Sequence, residues 1–128
     1  MKRLLTIVAA IAASACAAQA QDAIPNGAYA IQRVEGVAVP DGSQHSITIE
    51  DGTVTTFDGC NVTTGQANLS GGAITWTSPM QTTAADCPEG EIRITHDALA
   101  RAKTWEIRGG SLLIADAAKN TIITARAQ

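Results

Sequence analysis

Aromatic side chains are scarce in this 128-residue chain, which has two tryptophans, one tyrosine and one phenylalanine. The core must therefore be built from Val, Ile, Leu and Ala. Each ring is expected to anchor packing, because large rings carry much of the burial in a small core. The rings are Tyr29, Phe57, Trp76 and Trp105. The alternative is that Trp76 and Trp105 line a ligand groove.

Clusters of lysine and arginine are also missing. Without Lys2 and Arg3, seven basic residues face twelve acidic ones, which gives a net charge of −5. The basic residues of that remainder are scattered singly along the chain. Nucleic acids and anionic membrane surfaces are bound through clustered positive charge. We therefore expect no nucleic acid as a partner.

Metal-ligand and catalytic motifs are absent from the sequence as well. No Cys-x-x-Cys or His-x-x-x-His spacing occurs, and His45 and His96 stand far apart. Metal sites in proteins need several such ligands at short spacing. We therefore expect no metal, no cofactor and no catalytic residues. His45 falls in a predicted loop, where a lone histidine is expected to be solvated.

The one extended apolar run lies at the N-terminus, over residues 4–13, after a positively charged start. It is too short to cross a membrane, which takes about 20 residues of helix. Ala18-Gln19-Ala20 follows as a small-x-small cleavage site. These features predict a cleavable signal peptide over residues 1–20 and one exported domain over residues 21–128, in the periplasm or outside the cell.

Cys16 offers a second interpretation of the leader. Ala13-Ser14-Ala15-Cys16 resembles a bacterial lipobox, in which the cysteine is acylated after cleavage. A larger aliphatic residue is usual at position 13, so we prefer cleavage after Ala20. In the alternative, the protein is an outer-membrane lipoprotein held through Cys16.

Cleavage after Ala20 leaves two cysteines, Cys60 and Cys87, in a compartment where thiols are oxidised. An intramolecular disulfide is the interpretation that we prefer. Two buried free thiols remain an alternative, as does a cysteine with nucleophilic or metal-binding chemistry of its own.

Short segments of alternating polarity, bounded by turn residues, predict an antiparallel sheet. The clearest is a hairpin, in which strands over 46–50 and 53–57 flank Asp51-Gly52, a strong two-residue turn signal. Further strands are predicted over 28–34, 62–69, 73–77, 104–108, 111–116 and 121–125. Residues 36–43 are predicted as a loop, and residues 89–101 as a helix with Glu89 and Glu91 near its start. The alternative for residues 92–95 is a strand.

A tight bend is predicted directly after the hairpin. Asp58 and Asn61 flank Gly59 and Cys60 there, and their side chains are expected to bond to their own backbone. Gly59 and Gly65 are expected to adopt backbone angles that other residues avoid.

The two cysteine segments and their surroundings resemble the META domain, the family of HslJ-like bacterial envelope proteins. The residues that carry the resemblance are Gly59, Cys60, Asn61, Gly65, Thr83, Cys87 and Glu91. Residues 105–114 are similar to the closing hairpin of that family, and residues 26–29 to its glycine and aromatic start. Two positions depart from the pattern, because Tyr29 replaces a tryptophan and Asp86 replaces a small or apolar residue.

The resemblance implies a mainly β (α+β) fold, in which an antiparallel sheet curls into a partly open barrel with one helix packed across it. It also implies a non-catalytic envelope protein, related to stress or envelope integrity, that acts through protein contacts. The alternative is a small barrel that binds a lipid or another apolar ligand. We expect a monomer that contacts a membrane only if Cys16 is acylated.

Overall fold

The fold is a single antiparallel sheet that curls into a partly open barrel. A computed structural model describes residues 23–40, 42–87 and 94–128. The described residues form ten strands and one α-helix. The strands are β1 (Gly27–Val34), β2 (Val37–Ala38), β3 (Ser46–Glu50), β4 (Thr53–Phe57), β5 (Val62–Asn68), β6 (Thr75–Trp76), β7 (Gln81–Thr82), β8 (Thr104–Arg108), β9 (Ser111–Ala115) and β10 (Thr121–Ala127). The helix, α1, spans Ile94–Ala100, and a 3-10 turn spans Ser70–Gly72.

The two edges of the sheet, at β6 and β8, lie close to each other. The strands run β6-β5-β4-β3-β1-β10-β9-β8, while β2 pairs with β1 and β7 pairs with β5. A β-bridge joins Ala73, just before β6, to Thr104 in β8. The indole Nε1 of Trp105 donates to the carbonyl oxygen of Leu69 at 2.7 Å. These contacts connect β8 to the segment between β5 and β6. They confirm the predicted partly open barrel.

The predicted hairpin is confirmed with its bounds unchanged. β3 and β4 pair from Ser46 with Phe57 to Glu50 with Thr53. Asp51 and Gly52 both have positive φ, 48° and 85°. Positive φ at both central residues is the requirement of the tight turn that matches strand twist, which is why an Asp-Gly pair predicts it.

The core is aliphatic, with two aromatic anchors, and lies inside the curl. Ile47, Leu112 and Ile123 are completely buried, and each such side chain contributes about 1.5–3 kcal/mol. Tyr29 and Trp105 are also buried, which confirms for these two rings that they anchor packing. The Tyr29 hydroxyl donates to the Pro25 carbonyl oxygen at 2.7 Å, and burial raises the pKa of Tyr29.

Helix α1 covers β1 and β10 with small and medium-sized apolar side chains. Ala98 and Leu99 are buried, and the helix contacts both strands. An ion pair between Arg101 and Glu35 links the residue after the helix to the turn after β1. The described helix covers the C-terminal part of the predicted one. The predicted helix start lies outside the described residues, and so do Glu91, Cys16 and the predicted signal peptide.

Two short strands escaped the sequence pattern. β2 lies within residues 36–43, which were predicted as a loop, and pairs with the end of β1. β7 pairs with β5 through Thr63 and Thr64. Each has only two residues, which is too short to show the alternation by which strands are predicted.

The expectation that His45 is solvated was wrong. Its side chain is buried, with 7% of its surface exposed. The loop before β3 folds against β1, where the His45 carbonyl oxygen accepts a hydrogen bond from the Ile31 N–H at 2.9 Å. Neither ring nitrogen has a hydrogen-bond partner among the residues that the structure describes. The imidazole is therefore held by packing.

The turn between β9 and β10 depends on one carboxylate. Asp116 Oδ1 accepts hydrogen bonds from the Asn120 N–H at 2.9 Å and from the Ala118 N–H at 3.0 Å. The bond from the Asn120 backbone is the main reason why the pKa of Asp116 lies below its usual value of 3.8. A carboxyl group whose pKa is lower in the folded than in the unfolded state stabilises the fold above its unfolded-state pKa. That contribution disappears as the pH falls through the folded-state pKa.

We therefore expect Asp116→Asn to lower the melting temperature at pH 7, with the difference from the parent vanishing as the pH falls well below 3.8. Melting curves across this range measure the effect. Glu50→Gln is a suitable control, since Glu50 is exposed at the end of β3, and its difference should stay small throughout. A constant difference for Asp116→Asn at every pH would contradict the role of its charge.

Candidate functional site

The bend after β4 is built around the side chain of Asp58. Its Oδ1 accepts hydrogen bonds from the N–H groups of Cys60 at 2.9 Å and Asn61 at 2.6 Å. The Asp58 N–H donates in turn to the Asn61 carbonyl oxygen at 3.2 Å. Gly59 has a φ of 92°, which L side chains rarely adopt. The predictions for Asp58 and Gly59 are confirmed, since both residues fix the bend.

Asn61 acts differently from the prediction, because its side chain reaches across to residues 83–87. Its Oδ1 accepts hydrogen bonds from Thr83 Oγ1 at 3.0 Å and from the Ala85 N–H at 2.9 Å. Its Nδ2 donates to Cys87 Sγ at 3.3 Å. The expected bond from this side chain to its own backbone was wrong. Asn61 instead joins the first cysteine segment to the second.

A disulfide connects the same two segments. It joins Cys60 to Cys87, whose Cα atoms are 5.8 Å apart. Thr83 adds a further link, because its Oγ1 accepts from the Val62 N–H and its own N–H donates to the Val62 carbonyl oxygen, both at 3.0 Å. The structure therefore has the predicted disulfide. We call this arrangement the junction, formed by Asp58, Gly59, Cys60, Asn61, Thr83 and Cys87.

Gly65 lies beside the junction on β5, and its role is steric. Unlike Gly59, Gly65 does not have a positive φ. A Cβ atom there would lie 2.9 Å from Met80 Cγ and 3.1 Å from Trp76 Cζ3. The expectation of an unusual backbone angle was wrong, because Gly65 is required for the close approach of these two side chains.

We expect Gly65→Ala to lower the free energy of unfolding by about 1–3 kcal/mol, since the added methyl group overpacks the contact with Trp76. Urea denaturation measures this loss. The double variant Gly65→Ala, Met80→Ala should recover part of it, because truncation of Met80 makes room for the methyl group. An unchanged free energy of unfolding for Gly65→Ala would contradict the close packing.

A second polar cluster, which the sequence did not indicate, links helix α1 to the sheet. The Oγ1 of Thr82 lies 2.9 Å from His96 Nδ1 and 3.0 Å from Thr63 Oγ1. These residues lie in α1, β7 and β5 and are well separated in sequence, so only the fold brings them together. The cluster holds α1 against β5 and β7.

The described residues provide little for other chemistry. No group of three or more histidine, cysteine, aspartate and glutamate side chains among them is placed to hold a metal ion. Within the described part of the chain, no helix has the length and apolar character needed to span a bilayer. The arrangement at the junction can therefore hold two chain segments together, and its sulfur atoms can undergo exchange.

Two solved structures share this fold. One is an NMR structure with 18% sequence identity and a TM-score of 0.64, and the match covers 79% of this chain and 89% of that chain. The other, an NMR structure of a protein from Burkholderia xenovorans, has 16% identity and a TM-score of 0.60, with 80% of this chain and 83% of that chain covered. No curated protein matches the chain.

The family comparison covers the whole of the chain after residue 21. The model of the META domain matches residues 22–128. Six of the seven positions that carried the resemblance lie at the junction or directly beside it, while Glu91 lies outside the described residues. The chain belongs to the META domain family, an envelope-associated family.

Proposed function

We propose that this protein is an exported, non-catalytic component of the cell envelope that acts through contacts with other envelope proteins. The role concerns stress tolerance or envelope integrity. Membership of the META domain family supports the envelope assignment. The internal bonds made by the residues of the junction support a role without catalysis.

The observation that carries the proposal is that the reactive groups of the junction are engaged in internal bonds. Asp58 Oδ1 accepts two backbone N–H groups, and Asn61 bonds through both atoms of its amide. The sulfur atoms of Cys60 and Cys87 are bonded to each other. A catalytic site keeps such groups available to a substrate. In the oxidised protein these side chains therefore stabilise the fold, and the proposed contacts with other proteins are made by the surface.

The disulfide also supports export. Disulfides persist in oxidising compartments such as the periplasm and are rare in the cytosol. The sequence of residues 1–20 is typical of a signal peptide, and its removal leaves Cys60 and Cys87 as a pair. One argument uses the fold and the other uses the leader.

The described surface is suited to a polar, reversible contact. Val37 is the one large apolar side chain classed as exposed in the part of the chain that the structure describes, at 50% exposure. Large apolar patches mark permanent interfaces, whereas transient interfaces are about as polar as the rest of the surface. The proposed contacts are accordingly weak and readily reversed.

Native mass spectrometry of the exported protein separates this proposal from the apolar-ligand alternative. The chain is expressed with its leader in a bacterial host and released from the periplasm without detergent. We expect the mass of residues 21–128 with no lipid-sized addition. A bound lipid that survives purification would contradict the proposal and support the alternative. The membrane fraction of the same cells is extracted with detergent, and a chain found there with an acyl group on Cys16 would overturn cleavage after Ala20.

Cross-linking in intact cells tests the contacts themselves. We expect discrete covalent complexes with other envelope proteins when the chain carries its leader. The matched control is the same chain without residues 1–20, which should stay in the cytoplasm and form none of these complexes. Identical patterns from both chains would contradict a role in the envelope.

A further inference from the structure

The junction disulfide is only partly buried. Cys60 and Cys87 are each half-buried, and Gly59, next to Cys60, is exposed. A disulfide enclosed in the core is protected from thiols, whereas an accessible one can be attacked by a thiolate through a mixed disulfide. Access alone does not decide which sulfur is attacked. The surroundings of the two sulfur atoms do, and they differ.

The Cys87 sulfur has a hydrogen-bond donor beside it, while the Ala85 carbonyl oxygen lies farther off, at 3.5 Å from the same sulfur. Asn61 Nδ2 donates to Cys87 Sγ at 3.3 Å. The amide is held in place from its other end, because its Oδ1 accepts bonds from Thr83 and Ala85. A hydrogen bond donated to a sulfur favours its thiolate form, and a better thiolate leaves faster in exchange. Asp86 lies next to Cys87, but it is exposed and its charge is screened by water.

The Cys60 sulfur has the opposite surroundings. The carboxylate of Asp58 accepts a hydrogen bond from the Cys60 N–H at 2.9 Å. That backbone nitrogen is separated from Cys60 Sγ by three covalent bonds. Asp58 is buried, so water screens its charge poorly. A thiolate on Cys60 would therefore face a like charge, which makes Cys60 the poorer leaving group.

From this asymmetry we propose that the disulfide is a directional site of thiol exchange, at which an incoming thiolate attacks Cys60 Sγ and Cys87 leaves as the thiolate beside the Asn61 amide. The electron pair of the attacking thiolate forms the new bond to Cys60. The pair of the old S–S bond departs with Cys87. A second thiolate of the same dithiol reductant then displaces Cys60, which takes up a proton from water. The disulfide is reduced by two electrons, and the dithiol is oxidised to a disulfide.

The opened form keeps its two segments together. The bonds from Thr83 Oγ1 and the Ala85 N–H to Asn61 Oδ1 do not involve sulfur, and neither do the bonds between Thr83 and Val62. Cys87 therefore stays close to Cys60 and can close the bond again by attack on a mixed disulfide there. The reaction partner is a dithiol protein of the envelope.

Trapping of the mixed disulfide tests the direction. The folded, oxidised protein is treated briefly with glutathione at neutral pH, quenched with iodoacetamide and mapped by peptide mass spectrometry. We expect glutathione on Cys60 and the carbamidomethyl group on Cys87, with a preference of at least about fivefold over the reverse. An equal distribution, a preference for Cys87, or no exchange while the protein stays folded would overturn the proposal.

The variant Asn61→Asp tests the role of the Asn61 amide as a donor to Cys87 Sγ. Its carboxylate keeps acceptors for Thr83 and Ala85 but replaces the donor to Cys87 with a negative charge. We expect slower exchange and loss of the preference for Cys60, with the fold checked by circular dichroism. An unchanged preference in the folded variant would overturn the role of Asn61. If this variant does not fold, the single variants Cys60→Ser and Cys87→Ser decide, because the Cys87 thiol should then react with iodoacetamide several-fold faster than the Cys60 thiol.

Discussion

Replacement of both Cys60 and Cys87 by alanine lowers the free energy of unfolding by about 3–4 kcal/mol. The bond closes a loop between residues that are 27 positions apart. In the chain-entropy model, its loss raises the conformational entropy of the unfolded chain and stabilises the unfolded state by that amount. This is a large part of the stability of a small domain, which is about 5–15 kcal/mol. Urea denaturation of the oxidised parent and the double variant measures the difference.

The parent in the presence of a strong reductant is the matched control for this prediction. Reduction should reproduce most of the loss in the parent and leave the double variant unchanged, which separates loss of the bond from any effect of the alanines. The variant should still fold, because the core and the Asn61 hydrogen bonds remain. A loss below about 1 kcal/mol would mean that the disulfide contributes little to the fold.

Replacement of Asn61 by alanine is expected to lower the free energy of unfolding by about 2–3 kcal/mol, since three hydrogen bonds of about 1 kcal/mol each are removed. Those bonds join the bend after β4 to Thr83, Ala85 and Cys87. Hydrogen exchange should also rise at the amide of Ala85, which loses its acceptor. Denaturation and exchange are measured on the oxidised forms of the parent and of Asn61→Ala, so that both proteins contain the disulfide.

Asn68→Ala provides a matched control, because Asn68 is exposed. Among the described residues, its Oδ1 accepts bonds only within its own turn, from the Ser70 N–H and hydroxyl. We expect a loss of at most about 1 kcal/mol for it. Equal losses for the two asparagines would contradict the bridging role of Asn61.

Local chemistry made the strands and the first cysteine bend predictable. Asp51-Gly52 fixes its turn by its own backbone preference, and Asp58 closes a bend with the next three residues. Both features are decided within a few positions of the chain. The resemblance carried by the two cysteine segments added the overall curl of the sheet, which alternation alone does not reveal.

Contacts between distant residues were not predictable in the same way. The close approach of Trp76 to Gly65 depends on the register of β5 with its neighbours, and Asn61 finds its acceptors and donors only after the second cysteine segment is placed. The burial of His45 follows from a loop that folds over β1. In each case the neighbouring residues in the sequence indicate only the local structure, while the contact that matters comes from a distant part of the chain.

The central claim is that the META residues form a structural junction closed by a disulfide. The oxidation state of the two cysteines in the exported protein tests this claim most directly. The protein is recovered from the envelope fraction, treated with iodoacetamide without reductant after denaturation, and weighed by intact mass spectrometry. We expect the mass of residues 21–128 with no alkylated cysteine, two hydrogens lighter than that of the reduced chain. Two alkylated cysteines in the exported protein would contradict it.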